Sequence, residues 1–192
     1  MSNKEKFYGV NDSNWGHKWG YKDSGFVIND DMSVTFTGNR YPICGKRLPN
    51  FIPFVEEILG VRFDTKPKIQ EVEEKYVVEP NINKPFMDEL KETFKKDRFT
   101  SDRDERILHS HGQHSTDEVY KVLYNKLEKF ADLVFYIENE EETIKLIGLA
   151  KKYEVCLIPY GGGTNVTNAL RPPKEESRMV VSVDTRRMNQ IQ

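Results

Sequence analysis

Three consecutive glycines, Gly161-Gly162-Gly163, stand just after the apolar run Val155-Cys156-Leu157-Ile158 and directly before Thr164-Asn165. Helices and strands do not accommodate such a triplet, because glycine loses more backbone freedom on folding than any other residue. The chain must therefore leave its strand here and enter a tight loop. A loop of bare backbone lets amide N–H groups converge on an anion, and absent side chains let phosphate oxygens reach them. The segment Pro159-Tyr160-Gly161-Gly162-Gly163-Thr164-Asn165 is read as such a cradle, with Thr164 and Asn165 able to add side-chain hydrogen bonds. A flexible surface turn is the competing reading; the strand in front and the Thr-Asn pair behind favour the cradle. The Gly-Lys-Ser/Thr ending of nucleotide triphosphatases is missing. The spaced glycines of the dinucleotide fingerprint are missing too, and no strong helix begins before Pro172-Pro173.

The flanking sequence supplies an α/β unit around this loop. Leu133-Val134-Phe135-Tyr136-Ile137 and Met179-Val180-Val181-Ser182-Val183 are, like 155–158, short apolar runs that fit buried strands. Between the first two lies a helix opened by Asn139, with Glu140, Glu141 and Glu142 at its positive end and Lys151 and Lys152 at its close. It is expected to bury Ile144, Ile147 and Ala150. Ser115-Thr116-Asp117-Glu118 matches a capping box ahead of an amphipathic stretch carrying Val119, Val122, Leu123 and Leu127. The order strand, helix, strand, glycine loop, strand predicts α/β architecture. A sheet stopping at the third strand would keep an open edge and an uncovered face, which predicts a piece of something larger.

The first half reads differently. Val34 to Gly38 alternates as a short strand. Pro49 to Gly60 reads as a helix with Phe51, Phe54, Val55, Ile58 and Leu59 at helical spacing and Gly60 as its stop. Residues 62–84 read as a Lys/Glu-rich surface linker. Asn83 and Pro85 then open a helix with Phe86, Leu90 and Phe94 four residues apart, followed by Lys95, Lys96 and Arg98 at its negative end. Two domains are expected: an amino-terminal region of helices and linker over 1–99, and an α/β region over 100–192. The fold class is α/β (α+β).

Charge and cysteine content exclude several classes. With 29 basic and 31 acidic residues the formal net charge is −2, so no global field favours nucleic acid. Cys44 and Cys156 are too few for a disulfide framework. No apolar stretch is long enough to span a bilayer and no presequence is visible, which predicts a soluble intracellular protein. His109-x-His111-x-x-His114 lacks accompanying ligands and is read as a set of satisfied polar contacts rather than a metal site. Trp15, Trp19 and Tyr21 are read as a satellite core, and Cys44 as structural.

Pro159-x-Gly-Gly-Gly-Thr164 after a strand resembles the pyrophosphate loop of the vanillyl-alcohol-oxidase-like FAD-binding family. Within it, Trp19-Gly20-Tyr21-x-Asp23-Ser24 and Arg40-Tyr41-Pro42 resemble the alkylglycerone-phosphate synthases, also called alkyldihydroxyacetonephosphate synthases. So do Leu59-Gly60-Val61, Asp88-Glu89-Leu90-Lys91-Glu92-Thr93, Asp102-Arg103, Ser182-Val183-Asp184-Thr185 and Met188-Asn189. The resemblance runs from about Trp15 to the end of the chain. It implies that residues 100–192 are the first, incomplete half of a PCMH-type FAD-binding domain, with Pro159 to Asn165 on the FAD pyrophosphate. It implies exchange of the acyl chain of acylglycerone phosphate for a long-chain fatty alcohol, without net redox change. Ether-lipid synthesis, a peroxisomal location and a homodimer are further implications, and peripheral membrane contact of the full protein is compatible with it. The family's catalytic tyrosine and histidine segment would lie beyond Gln192, so no catalytic residue is assigned here. An FAD-dependent D-lactate or glycolate dehydrogenase is the enzyme alternative, weakened by the 90 residues ahead of the flavin region. A non-catalytic nucleotide-binding module is the other.

Overall fold

The computed structural model describes Tyr21, residues 23–63 and residues 76–189. They fall into two compact units, the first ending within 64–75 and the second running from there onward. The boundary expected at 99/100 thus differs from the packing, in which residues 76–99 belong with the α/β region. The aromatic cluster at Trp15 and Trp19 lies outside the described residues.

The first unit holds a three-stranded antiparallel sheet of β1 (Phe26–Ile28), β2 (Val34–Phe36) and β3 (Arg47–Leu48), and one helix, α1 (Phe51–Leu59). β2 is the expected alternating strand; β1 and β3 carry no clear period of their own. Gly60 ends α1 in the left-handed conformation at φ 62, as expected of a glycine stop. Only Ile52 of α1 is buried, while Phe54, Ile58 and Leu59 are exposed.

The second unit contains α2 (Lys84–Thr93), β4 (Phe99–Thr100), α3 (Arg103–Leu108), α4 (Thr116–Leu123), β5 (Leu133–Tyr136), α5 (Glu140–Lys152), β6 (Cys156–Tyr160) and β7 (Val180–Asp184). The sheet order is β4-β5-β7-β6, with β5, β7 and β6 parallel and β4 antiparallel at one edge. The last strand therefore inserts between its two predecessors instead of forming an edge. Asn83 caps α2 by accepting the Phe86 N–H at 3.1 Å, and Asn139 caps α5 by accepting the Glu142 N–H at 2.9 Å.

One sheet face packs Leu133, Phe135, Val181 and Val183 against Phe86, Leu90 and Phe94 of and just beyond α2, and against Leu146, Leu149 and Ala150 of α5. The expected inward face of α5 needs correction: Ala150 is buried, but Ile144 and Ile147 are exposed, and Leu146 and Leu149 take the core positions. Both rows are apolar, so periodicity alone did not choose between them. Tyr76 and Val77, inside the stretch read as linker, pack with Phe130. Arg98 departs from its expected dipole role as well. It is buried and paired with Glu138 and Glu142, the second at 3.1 Å. The described part of the chain is mixed α+β, as the sequence predicted, and no helix among the described residues is long and apolar enough to cross a membrane.

Candidate functional site

The carboxyl ends of the three parallel strands carry Tyr136, Asp184 and Tyr160 in one register row. Ligands of open α/β sheets bind outside this end of the strands. Here the row is a buried polar floor. His109, the C-cap of α3, sets one ring nitrogen 2.8 Å from Asp184 Oδ2 and the other 2.8 Å from the Glu105 carbonyl. The Tyr136 hydroxyl donates to Glu105 Oε2 at 2.6 Å, and Arg186 Nε donates to Asp184 Oδ2 at 2.8 Å. Burial pushes the Asp184 carboxyl upward, but His109 and Arg186 outweigh it and hold it below the ordinary carboxylate range. Burial pushes the Tyr160 hydroxyl up to about 12, and burial with the Glu105 carboxylate raises Tyr136 well above the usual phenol. The sequence reading included Tyr160 as part of the loop but missed Tyr136 and Asp184 beside it; a polar group at or near the close of each of three apolar runs was the available signal.

The glycine loop rises from β6 beside this floor. Pro159 and Tyr160, read as loop, are the last two residues of the strand, with Tyr160 buried against the His109 ring at a 4.5 Å centroid distance. Thr185 N–H donates to the Tyr160 carbonyl at 2.9 Å and ties the neighbouring strand end to the loop's root. The three glycines then differ. Gly163 has φ 71, and a Cβ there would stand 2.6 Å from the Tyr160 hydroxyl, so glycine is required by the fold itself. At Gly162 a Cβ would meet nothing within 4 Å, and at Gly161 only Thr185 Oγ1 at 4.0 Å. Nothing described in the chain demands glycine at these two positions. They leave space over the loop, and residues 161–167 with Ala169 and Leu170 line an open depression of about 360 Å³ there.

Among the described residues, the main-chain N–H groups of Gly161, Gly162, Gly163 and Thr164 donate to no protein acceptor. Unengaged amides in a run whose Gly163 and Asn165 are left-handed, at φ 71 and 51, are the chemistry of an anion nest. Thr164 is exposed at the mouth. Asn165 is not: its side chain is turned inward, donating to Glu118 Oε1 at 2.6 Å and accepting the Leu170 N–H at 2.8 Å. Any contact of Asn165 with an anion is therefore through its backbone. The capping box expected at Ser115 also needs correction. Ser115 is the N-cap of α4 but makes no side-chain cap bond, and Glu118 turns into the protein toward Asn165.

The histidine segment lies behind the loop. His111 Nδ1 lies 2.7 Å from the Gly112 carbonyl, Gln113 N–H donates to the Gly163 carbonyl at 2.7 Å, and His114 is exposed. Cys44 is free and donates its thiol to the Thr37 carbonyl at 3.3 Å. Cys156 is also free, and burial pushes its thiol above the ordinary value.

Parallel strands ending on an amide-lined glycine loop, flanked by packed helices, make this region part of an α+β domain, and this is consistent with the partial FAD-binding domain expected above. No family model matches the chain. It is 35% identical over 173 residues to the alkyldihydroxyacetonephosphate synthase of Caenorhabditis elegans, an alignment covering 90% of this chain and 28% of that protein. A solved structure of alkyldihydroxyacetonephosphate synthase in space group P1 superposes with a TM-score of 0.77 at 28% identity, covering 91% of this chain and 33% of the other. The mitochondrial D-lactate dehydrogenase (cytochrome) of Arabidopsis thaliana matches over only 48% of this chain, at 31% identity. Over nine tenths of its length, then, the chain is a homologue of the alkyldihydroxyacetonephosphate synthases, and it spans about 28% of the length of the worm relative.

Proposed function

We propose that this chain contributes the pyrophosphate-gripping part of an FAD-dependent alkyl transferase. The enzyme exchanges the acyl chain of acylglycerone phosphate for a long-chain fatty alcohol, giving the ether-linked product. The observation that carries the cofactor assignment is the loop Gly161 to Thr164, with its unengaged amides and the open space over Gly161 and Gly162. A diphosphate accepts from several converging N–H groups at once, and charge-assisted bonds of this kind are about twice as strong as neutral ones. Pro159 and Tyr160 root the loop, Gly161 to Thr164 face the anion, and Asn165 shapes the exit. FAD, when bound, supplies the covalent chemistry of the exchange; this chain binds and orients it. The reading as synthase rather than dehydrogenase is supported by similarity extending over 90% of the chain, against half of it for the dehydrogenase. By the same family resemblance the enzyme works in the peroxisome as a homodimer.

The test is an assay of the full-length protein with both chemistries offered. Alkyl-for-acyl exchange on acylglycerone phosphate is expected, with flavin absorbance in the purified protein. Reduction of a two-electron acceptor by a D-2-hydroxy acid, without exchange, would overturn the assignment in favour of the dehydrogenase reading.

A further inference from the structure

The loop's most unusual neighbour is a carboxylate that touches no solvent. Glu118 on α4 is wholly buried. Its Oε1 accepts the Gly112 N–H at 3.1 Å and the Asn165 side-chain amide at 2.6 Å. Its Oε2 is buried with no hydrogen-bond partner among the described residues. Burying an incompletely paired carboxyl group is unfavourable, so α4 tolerates it only within a surrounding that fixes it closely. That surrounding is tight. A Cβ on Gly112 would overlap the Asn165 Cβ and stand 2.8 Å from Glu118 Oε2. Asn165 is held in the left-handed region at φ 51, which asparagine tolerates better than most residues. Its other amide atom, Oδ1, is fixed by the Leu170 N–H, and one residue beyond Gly112 the Gln113 N–H holds the Gly163 carbonyl at 2.7 Å.

We propose that Glu118, acting through Asn165 and Gly112, is a positioning residue that sets the shape of the glycine loop before its ligand arrives. The inference rests on the FAD reading given above and deepens it. Glu118 touches neither the mouth of the loop nor the depression over it. It fixes the side chain at the loop's exit, while the neighbouring backbone bond fixes the carbonyl at its centre. Both engagements are made from behind, and the N–H groups of Gly161 to Thr164 stay without protein partners. A loop held this way gives up less conformational freedom on binding, which is where the affinity gain lies.

FAD titration of the full-length apoprotein, read by flavin fluorescence, separates positioning from mere stability. Glu118→Ala removes both bonds and is expected to raise the FAD Kd roughly ten- to a hundredfold. Glu118→Gln keeps an oxygen acceptor in the same place and is expected to restore affinity to within about threefold. Gly112→Ala deletes no hydrogen-bonding group but drives Asn165 from its place, and it should also weaken FAD about tenfold. Val122→Ala, on the same helix but in the core beneath it, is the control: it lowers the melting temperature of the apoprotein and leaves the Kd unchanged. Wild-type affinity in a folded Glu118→Ala or Gly112→Ala protein would overturn the proposal. So would an affinity loss in Val122→Ala that matches theirs at equal loss of melting temperature. Wild-type protein that takes up no FAD would instead overturn the functional reading on which the proposal stands.

Discussion

The two compact units have similar apolar vocabularies and use them differently. In the first, β1 reads Phe-Val-Ile and α1 carries Phe54, Ile58 and Leu59, yet all six side chains are exposed, and among the described residues of this unit only Val34 and Ile52 are buried hydrophobics. In the second, β5 reads Leu-Val-Phe-Tyr and is buried at every position. The difference lies in what each element faces. β5 lies between β4 and β7, with helices α2 and α5 packed on one face and α3 beside it, so each apolar residue meets a partner. The short antiparallel sheet has, among the described residues of its unit, one nine-residue helix and covers little of its own surface. Apolar periodicity therefore announces an element, but burial follows from the layer that covers it.

Paired substitutions sharpen this contrast. The largest effect is expected in the sheet core: Phe135→Ala leaves a cavity under Phe94 and should destabilise by about 3–5 kcal/mol, whereas Ile58→Ala should stay within about 0.5 kcal/mol. Urea unfolding of the two variants measures both. Near-equal losses would break the comparison. Next comes the polar floor. Asp184→Asn removes the buried carboxylate that pairs with Arg186 and hydrogen-bonds His109, and is expected to destabilise by about 3 kcal/mol. The pH dependence has a fixed sign. Asp184 titrates lower in the folded than in the unfolded chain, so its contribution is complete above about pH 4 and is lost as pH falls toward its folded value. Melting temperatures measured from pH 5 downward should fall less steeply in Asp184→Asn than in wild type. The smallest effect concerns the caps. Asn83→Ala at α2 should lower stability by about 1 kcal/mol, while Asn50→Ala at α1, whose side chain makes no cap bond, should leave it nearly unchanged.

The same contrast explains how much was legible beforehand. The three buried strands, the caps at Asn83 and Asn139 and the glycine loop were visible because each is a local pattern with a local cause. The insertion of β7 between β5 and β6 was not, since strand order is decided by pairing across more than 20 residues. Arg98 looked like a dipole cation because its partners Glu138 and Glu142 lie about 40 residues away. Glu118 looked like the closing residue of a capping box because nothing near it in sequence reveals Asn165, 47 residues on. Within the loop, the sequence presented three equivalent glycines. Only the backbone distinguishes Gly163, needed for a left-handed turn against Tyr160, from Gly161 and Gly162, which leave open space.

That distinction gives the central claim its most direct test. Gly162 is not in the left-handed region and has room for a side chain, so Gly162→Val should leave the fold intact while placing methyl groups over the unengaged amides. FAD affinity of the full-length protein is the measurement, with the apoprotein melting temperature taken alongside. Loss of about two charge-assisted bonds corresponds to a Kd raised by roughly two decades or more, with the melting temperature of the apoprotein within a few degrees of wild type. Thr164→Ala should be milder, since it leaves the backbone amides in place. A Gly162→Val protein that folds normally and binds FAD with wild-type affinity would contradict the account, because the loop would then be a surface turn and not a cofactor cradle.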